Sequence, residues 1–152
     1  MSPDLDIRLV AHNSPEYRET VALRFRILRE PLGLSFTAEQ LAAESGDLHL
    51  GAWLDGKLAA CLLLTPLDSA TVKMRQVAVD DGLQGRGIGT ALVRRSEEIA
   101  KERGFTSMTL SARATAVPFY LRLGYDLIGE EYEEVTIPHR KMEKRLHDGH
   151  TG

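Results

Sequence analysis

The stretch Val77-Ala78-Val79-Asp80-Asp81-Gly82-Leu83-Gln84-Gly85-Arg86-Gly87-Ile88-Gly89 decides how this chain reads. It runs from a short apolar strand, through a loop that ends with glycine at every second position, into the start of a helix. A loop with so few side chains cannot pack a core. It can turn its backbone N–H groups toward one point at a helix N-terminus, where the dipole also favours an anion, so a phosphate or pyrophosphate is its natural occupant. The spacing narrows which one. A dinucleotide-binding turn needs G-x-G-x-x-G, whereas Gly85, Gly87 and Gly89 give G-x-G-x-G. A P-loop needs Gly-Lys-Ser/Thr at the helix start, and neither the lysine nor the hydroxyl is present.

Working outward, Ile7 to Val10 reads as a strand, and Ser14-Pro15 as an N-cap with proline at the first helical position. Val21, Phe25 and Leu28 at helical spacing carry that helix to Pro31 and Gly33. Thr37 opens a short second helix holding Leu41. His49–Leu54 and Lys57–Thr65 are strands joined by Asp55-Gly56, a strong hairpin signal, and the apolar run Leu58 to Leu64 predicts burial on both faces. Thr71 to Val79 is the strand that feeds the glycine loop. Beyond it, a helix from Ile88 ends at Gly104-Phe105, followed by a strand over Thr106 to Ser111. Thr115 is a candidate cap for a last helix that ends at Gly124-Tyr125, again a glycine followed by an aromatic. Tyr125–Glu130 and His139–Leu146 are the final strands, with a loop from Glu130 to Pro138 between them and a frayed tail from His147. The order β-α-α-β-β-β-α-β-α-β-β, with no linker and no repeat, predicts one α/β domain over residues 1–152.

Composition sets the outer limits. At 152 residues, with 43% apolar and 27% charged, the chain is sized for one buried core. A net charge of −3 argues against a nucleic-acid binder. Met1 to Asp6 lacks the regions of a signal peptide, and no apolar run is long enough to span a bilayer, so a cytoplasmic protein away from membranes is expected. The lone Cys61, inside an apolar run, fits a reducing compartment and a buried thiol. His147 and His150 flank Asp148 in the tail, and no metal site is expected there.

With Gln84-Gly85-Arg86-Gly87-Ile88-Gly89 set behind a Val-Ala-Val strand, the chain resembles the GNAT superfamily of N-acetyltransferases, whose acyl-CoA loop reads Q/R-x-x-G-x-G/A. Phe119-Tyr120-Leu121-Arg122-Leu123-Gly124-Tyr125 is similar to the family's F-Y-x-x-x-G-F/Y ending. The resemblance covers Ile7 to Leu146. The run Tyr132 to Met142, with its Ile137-Pro138-His139, is also similar to the ElaA-like subgroup.

The resemblance implies a single GNAT-type domain, a mixed sheet of six to seven strands flanked by helices. It further implies that the acetyl-CoA pyrophosphate lies on the amides of Gln84, Gly85, Arg86, Gly87, Ile88 and Gly89, with Arg86 adding charge. The pantetheine arm would pair with the backbone of Val77, Ala78 and Val79, and an N–H of that strand would hold the developing oxyanion. Tyr120 stands where the family places a proton donor for the leaving thiolate, a role that suits a group protonated up to about pH 10. The base is open among Glu131, Glu134, His139 and water; Glu133 belongs to the same acidic run, which would also attract a cationic amine. Gln76, as an amide, cannot be a base. Arg113 stands where many members have asparagine, which puts that contact in doubt.

Two readings follow. One is direct transfer from acetyl-CoA to a primary amine of a small molecule or peptide, with the acceptor site built from Arg29 to Glu44 and Glu130 to Pro138. The other is a catalytically silent acyl-CoA-binding module. An apolar stripe on either acceptor segment would equally serve a homodimer.

Overall fold

The computed structural model describes residues 5–146. Among them the chain forms β1 (Leu5–Val10), α1 (Pro15–Arg24), α2 (Ala38–Ala42), β2 (Leu48–Leu54), β3 (Lys57–Pro66), β4 (Thr71–Val79), α3 (Ile88–Glu102), β5 (Ser107–Arg113), α4 (Val117–Arg122), β6 (Asp126–Glu134) and β7 (Ile137–Arg145). The expected element order is the observed one. The seven strands are ordered β1-β2-β3-β4-β5-β7-β6 in a mixed sheet flanked by helices. The tail from residue 147, including His147 and His150, and the first four residues lie outside the described residues. The chain divides into two compact units, residues 5–65 with 76–96, and residues 66–75 with 97–146.

In the first unit, β1, β2 and β3 pair antiparallel. The β2–β3 hairpin turns on Asp55 (φ 50°) and Gly56 (φ 85°), both left-handed as a two-residue turn of this kind requires. Ala59 to Leu64 of β3 are all buried, as expected for a strand covered on both faces. Ser14 caps α1 by accepting from the Tyr17 N–H. The helix then departs from the even periodicity of Val21, Phe25 and Leu28. It is α-helical only to Arg24, Phe25–Arg29 forms a π-turn, and Glu30–Leu32 a 3-10 turn closed by left-handed Gly33. The buried face of α1 is Tyr17, Thr20, Leu23 and Arg24 at ordinary helical spacing, and the π-turn slips the register by one residue beyond it. Thr37 and Gln40 form a reciprocal capping box on α2.

In the second unit, the start of β4 pairs parallel with β5 from Thr71↔Ser107 to Met74↔Leu110. β7 pairs antiparallel with β5 on one side and β6 on the other. Both glycine-aromatic endings close their helices as expected: the N–H of Phe105 reaches the carbonyl of Ala100, that of Tyr125 the carbonyl of Tyr120, and Gly104 and Gly124 are left-handed.

Two expectations are corrected here. Thr115 caps nothing: it lies in a 3-10 turn, Ala114–Ala116, and α4 starts behind Ala116 without a side-chain cap. The predicted loop from Glu130 to Pro138 is a continuous hairpin instead. β6 runs to Glu134, β7 begins at Ile137, and the turn is Val135-Thr136 with φ of 49° and 63°. Two β-branched residues in left-handed backbone carry no recognisable turn signal, because such side chains are disfavoured there.

Candidate functional site

The loop after β4 is built from short local bonds. The N–H of Asp80 reaches the carbonyl of Ala59 at 2.9 Å, and Leu83 closes a 3-10 turn onto Asp80. The Gln84 side chain donates back to the Val79 carbonyl at 3.1 Å, so its amide braces the turn from within. Gly85 (φ 81°) and Gly87 (φ 82°) adopt the left-handed conformation, and a Cβ at either, or at Gly82, would meet nothing within 4 Å. The backbone is therefore bare where a ligand would approach. The carbonyl of Gly87 accepts from the N–H of Ala91, which starts α3; the first N–H groups of the helix, at Ile88, Gly89 and Thr90, have no partner within it. Ile88 is buried, and Arg86 is exposed. Within the preceding strand, Ala78 packs on Leu23 and Cys61, while Val77 and Val79 are half-buried.

Behind that strand lies a buried polar network of which the sequence reading singled out only Gln76. Arg24 is 0% exposed and Glu44 4%. The Arg24 guanidinium donates from Nη2 to Glu44 Oε1 (2.8 Å) and from Nη1 to Glu44 Oε2 (2.9 Å), the parallel two-bond geometry that makes such pairs strong. Nη1 also donates to Gln76 Oε1 at 2.9 Å. Glu44 Oε1 accepts a third bond from the Tyr17 hydroxyl (2.7 Å), and its backbone carbonyl faces His49 Nε2 (2.9 Å). Burial alone would raise the Glu44 carboxyl, but the bonds from Arg24 and Tyr17 outweigh it and hold the group below the ordinary carboxylate range. Burial, then the bond to Glu44, pushes the Tyr17 hydroxyl up to about 12. Burial drives His49 below the usual histidine range. Cys61, buried as expected, has its thiol pushed up to about 12 by the same desolvation. One signal for Arg24 was available: a charged residue seven positions after Tyr17 shares its helix face.

Tyr120 belongs to the second unit. It is 7% exposed and set edge-on to Phe119 and Tyr125. Burial alone raises its hydroxyl above the normal range. Against its ring, the Tyr125 hydroxyl donates to Glu97 (2.8 Å), and Lys144 donates to Glu97 (2.9 Å) and to the Leu123 carbonyl (2.7 Å).

The acidic run lies on β6, at the edge of the sheet, where Glu131, Glu133 and Glu134 are exposed. His139 is buried, with Nδ1 2.8 Å from the Ile137 carbonyl and Nε2 3.5 Å from Glu134. One ring N–H can donate to the Ile137 carbonyl, which leaves Nε2 facing the Glu134 carboxylate. Tyr132 donates to Ser111 Oγ at 2.7 Å. Arg113 ends β5 opposite His139. Among the described residues no helix is long and apolar enough to cross a membrane, and no three His, Cys, Asp or Glu side chains are placed to hold a metal ion.

The mixed seven-stranded sheet with a glycine loop between its fourth strand and the following helix recurs in known proteins. The model of the acetyltransferase (GNAT) family matches residues 11–125. The chain belongs to that family. A candidate N-acetyltransferase from Lactobacillus plantarum superposes with a TM-score of 0.82 at 27% identity, covering 93% of this chain and 98% of that one. Escherichia coli ElaA, with a TM-score of 0.74 at 21% identity over 92% of this chain and 99% of its own, shares the fold. In sequence, the chain is 36% identical over 76 residues to the uncharacterised protein YyaT of Bacillus subtilis (strain 168), a match covering 50% of this chain and about half (51%) of that protein.

Proposed function

We propose that the protein moves an acetyl group from acetyl-CoA directly to a primary amine of a small molecule or peptide. The observation that carries this reading is the bare, left-handed glycine loop at the start of α3, in a chain of the acetyltransferase family. Gln84 to Gly89 would hold the pyrophosphate through backbone N–H groups, with Arg86 adding charge. Val77 to Val79 would pair with the pantetheine amides, and an N–H of that strand would polarise the thioester carbonyl. Acetyl-CoA supplies the activated acyl group.

Tyr120 would give its proton to the sulfur as the carbon–sulfur bond breaks and the nitrogen–carbon bond forms. Its raised pKa keeps it protonated at neutral pH. The amine must lose a proton, to water, Glu131, Glu134 or His139. Cys61 supports direct transfer, since a buried thiol pushed up to about 12 is a poor nucleophile. The setting would be the cytoplasm, without nucleic acid or membrane, and either acceptor segment would also suit a homodimer contact.

The test is release of free CoA thiol in the presence of a panel of amines, for wild type and Tyr120→Phe. Amine-dependent release that falls about a hundredfold in the variant is expected. CoA binding without release on any amine, and no effect of Tyr120→Phe, would overturn the reading in favour of a binding module.

A further inference from the structure

We infer that Gln76 is a positioning residue: the buried Arg24 guanidinium grips its side chain and so holds the left-handed kink of β4 that aims Val77 to Val79. The inference rests on the assignment of those three residues to acyl-CoA binding.

Gln76 has φ of 53° in the middle of a strand that runs from Thr71 to Val79. A non-glycine residue holds that conformation when its surroundings impose it, and a glycine would do so freely. If backbone shape alone were needed here, the side chain would be superfluous. It is instead bound by a charged donor. Arg24 Nη1 lies 2.9 Å from Gln76 Oε1, and because arginine only donates, the amide must present its oxygen to the guanidinium. That fixes which way the amide points.

The anchor itself is held on several sides. Arg24 is already neutralised by both oxygens of Glu44, which Tyr17 braces, and Phe36 lies 5.1 Å from the guanidinium carbon. The bond to Gln76 is therefore surplus to charge balance, and what it holds in place is Gln76. One residue further on begins the strand edge assigned to the pantetheine arm, with Ala78 locked into the core against Leu23 and Cys61. Loss of the grip frees the kink without touching that packing or the Arg24–Glu44 pair.

The experiment measures CoA affinity by calorimetry, and melting temperature, on the full chain carrying Gln76→Gly, Gln76→Leu or Gln76→Glu. Gln76→Gly relieves the backbone strain and keeps the buried pair, so it should melt close to wild type yet bind CoA about tenfold more weakly. Gln76→Leu, a second variant without the acceptor oxygen, should weaken binding to a similar extent. Gln76→Glu still accepts from Arg24 and should stay within about threefold of wild type. A glycine variant that binds CoA as tightly as wild type overturns the inference, as does a glutamate variant that binds as weakly as leucine. Wild-type protein that fails to bind CoA refutes the acyl-CoA reading itself, which separates the two failures.

Discussion

Each unit of this protein buries an ionic cluster, and the two are built on different terms. In the first, Arg24 and Glu44 form a two-bond pair whose side chains are 1% and 5% exposed. In the second, Lys144 and Glu97 are 22% and 10% exposed. Both pairs also have neutral partners, Gln76 and Tyr17 in the first, the Leu123 carbonyl and the Tyr125 hydroxyl in the second, so the difference lies in access to water. The comparison separates a pair that must be complete from one that tolerates loss. Removing one member of a fully buried pair strands a charge that water cannot reach, at about 3–5 kcal/mol. A partly wetted pair loses nearer the value of a charged hydrogen bond, about 1.5–3 kcal/mol at most.

The largest expected effect is accordingly that of Glu44→Gln, which should reduce unfolding free energy in urea by about 3–5 kcal/mol. A loss below about 1 kcal/mol would break the comparison at its stronger end. The same pair predicts the acid response. Glu44 titrates lower in the folded state than unfolded, so its contribution is present above the ordinary carboxylate range and is lost as pH falls through the folded value. His49, also lowered, acts in the same direction from about pH 6.5 downward. Melting temperature should therefore decline on acidification in two stages, and Glu44→Gln should flatten the more acidic one.

Glu97→Gln should be milder, costing about 1–2 kcal/mol by chemical denaturation. A loss equal to that of Glu44→Gln would mean that the second cluster is as dry in effect as the first. The smallest effect contrasts the two hairpins. Asp55-Gly56 suits its left-handed turn, whereas Val135-Thr136 does not, so replacing the latter pair by Asn-Gly should raise stability by about 1 kcal/mol. No gain would show that the second turn is relaxed despite its residues.

These contrasts also explain what was legible beforehand. The glycine-aromatic helix ends, the Asp55-Gly56 hairpin and the wholly apolar β3 could be read directly, because each is a local rule obeyed by consecutive residues. The Val135-Thr136 turn was invisible because its residues contradict the local rule. The π-turn at Phe25–Arg29 was hidden behind an apolar spacing that fits an ordinary helix equally well. In the buried network, Tyr17 and Arg24 share one helix face and Glu44 and His49 lie five residues apart, but the two pairs and Gln76 are separated by about 20 residues or more, and only the tertiary fold makes them partners.

The central claim is that the loop from Gln84 to Gly89 receives the phosphates of acyl-CoA. Gly89 is the position to change, since, unlike Gly85 and Gly87, it has no left-handed φ, and valine there adds a side chain at the helix start without demanding a disallowed backbone. Calorimetric titration of CoA into wild type and Gly89→Val is the direct measurement. The account predicts saturable binding to wild type and its loss in a variant that still melts cooperatively; equal affinity in the two would contradict it.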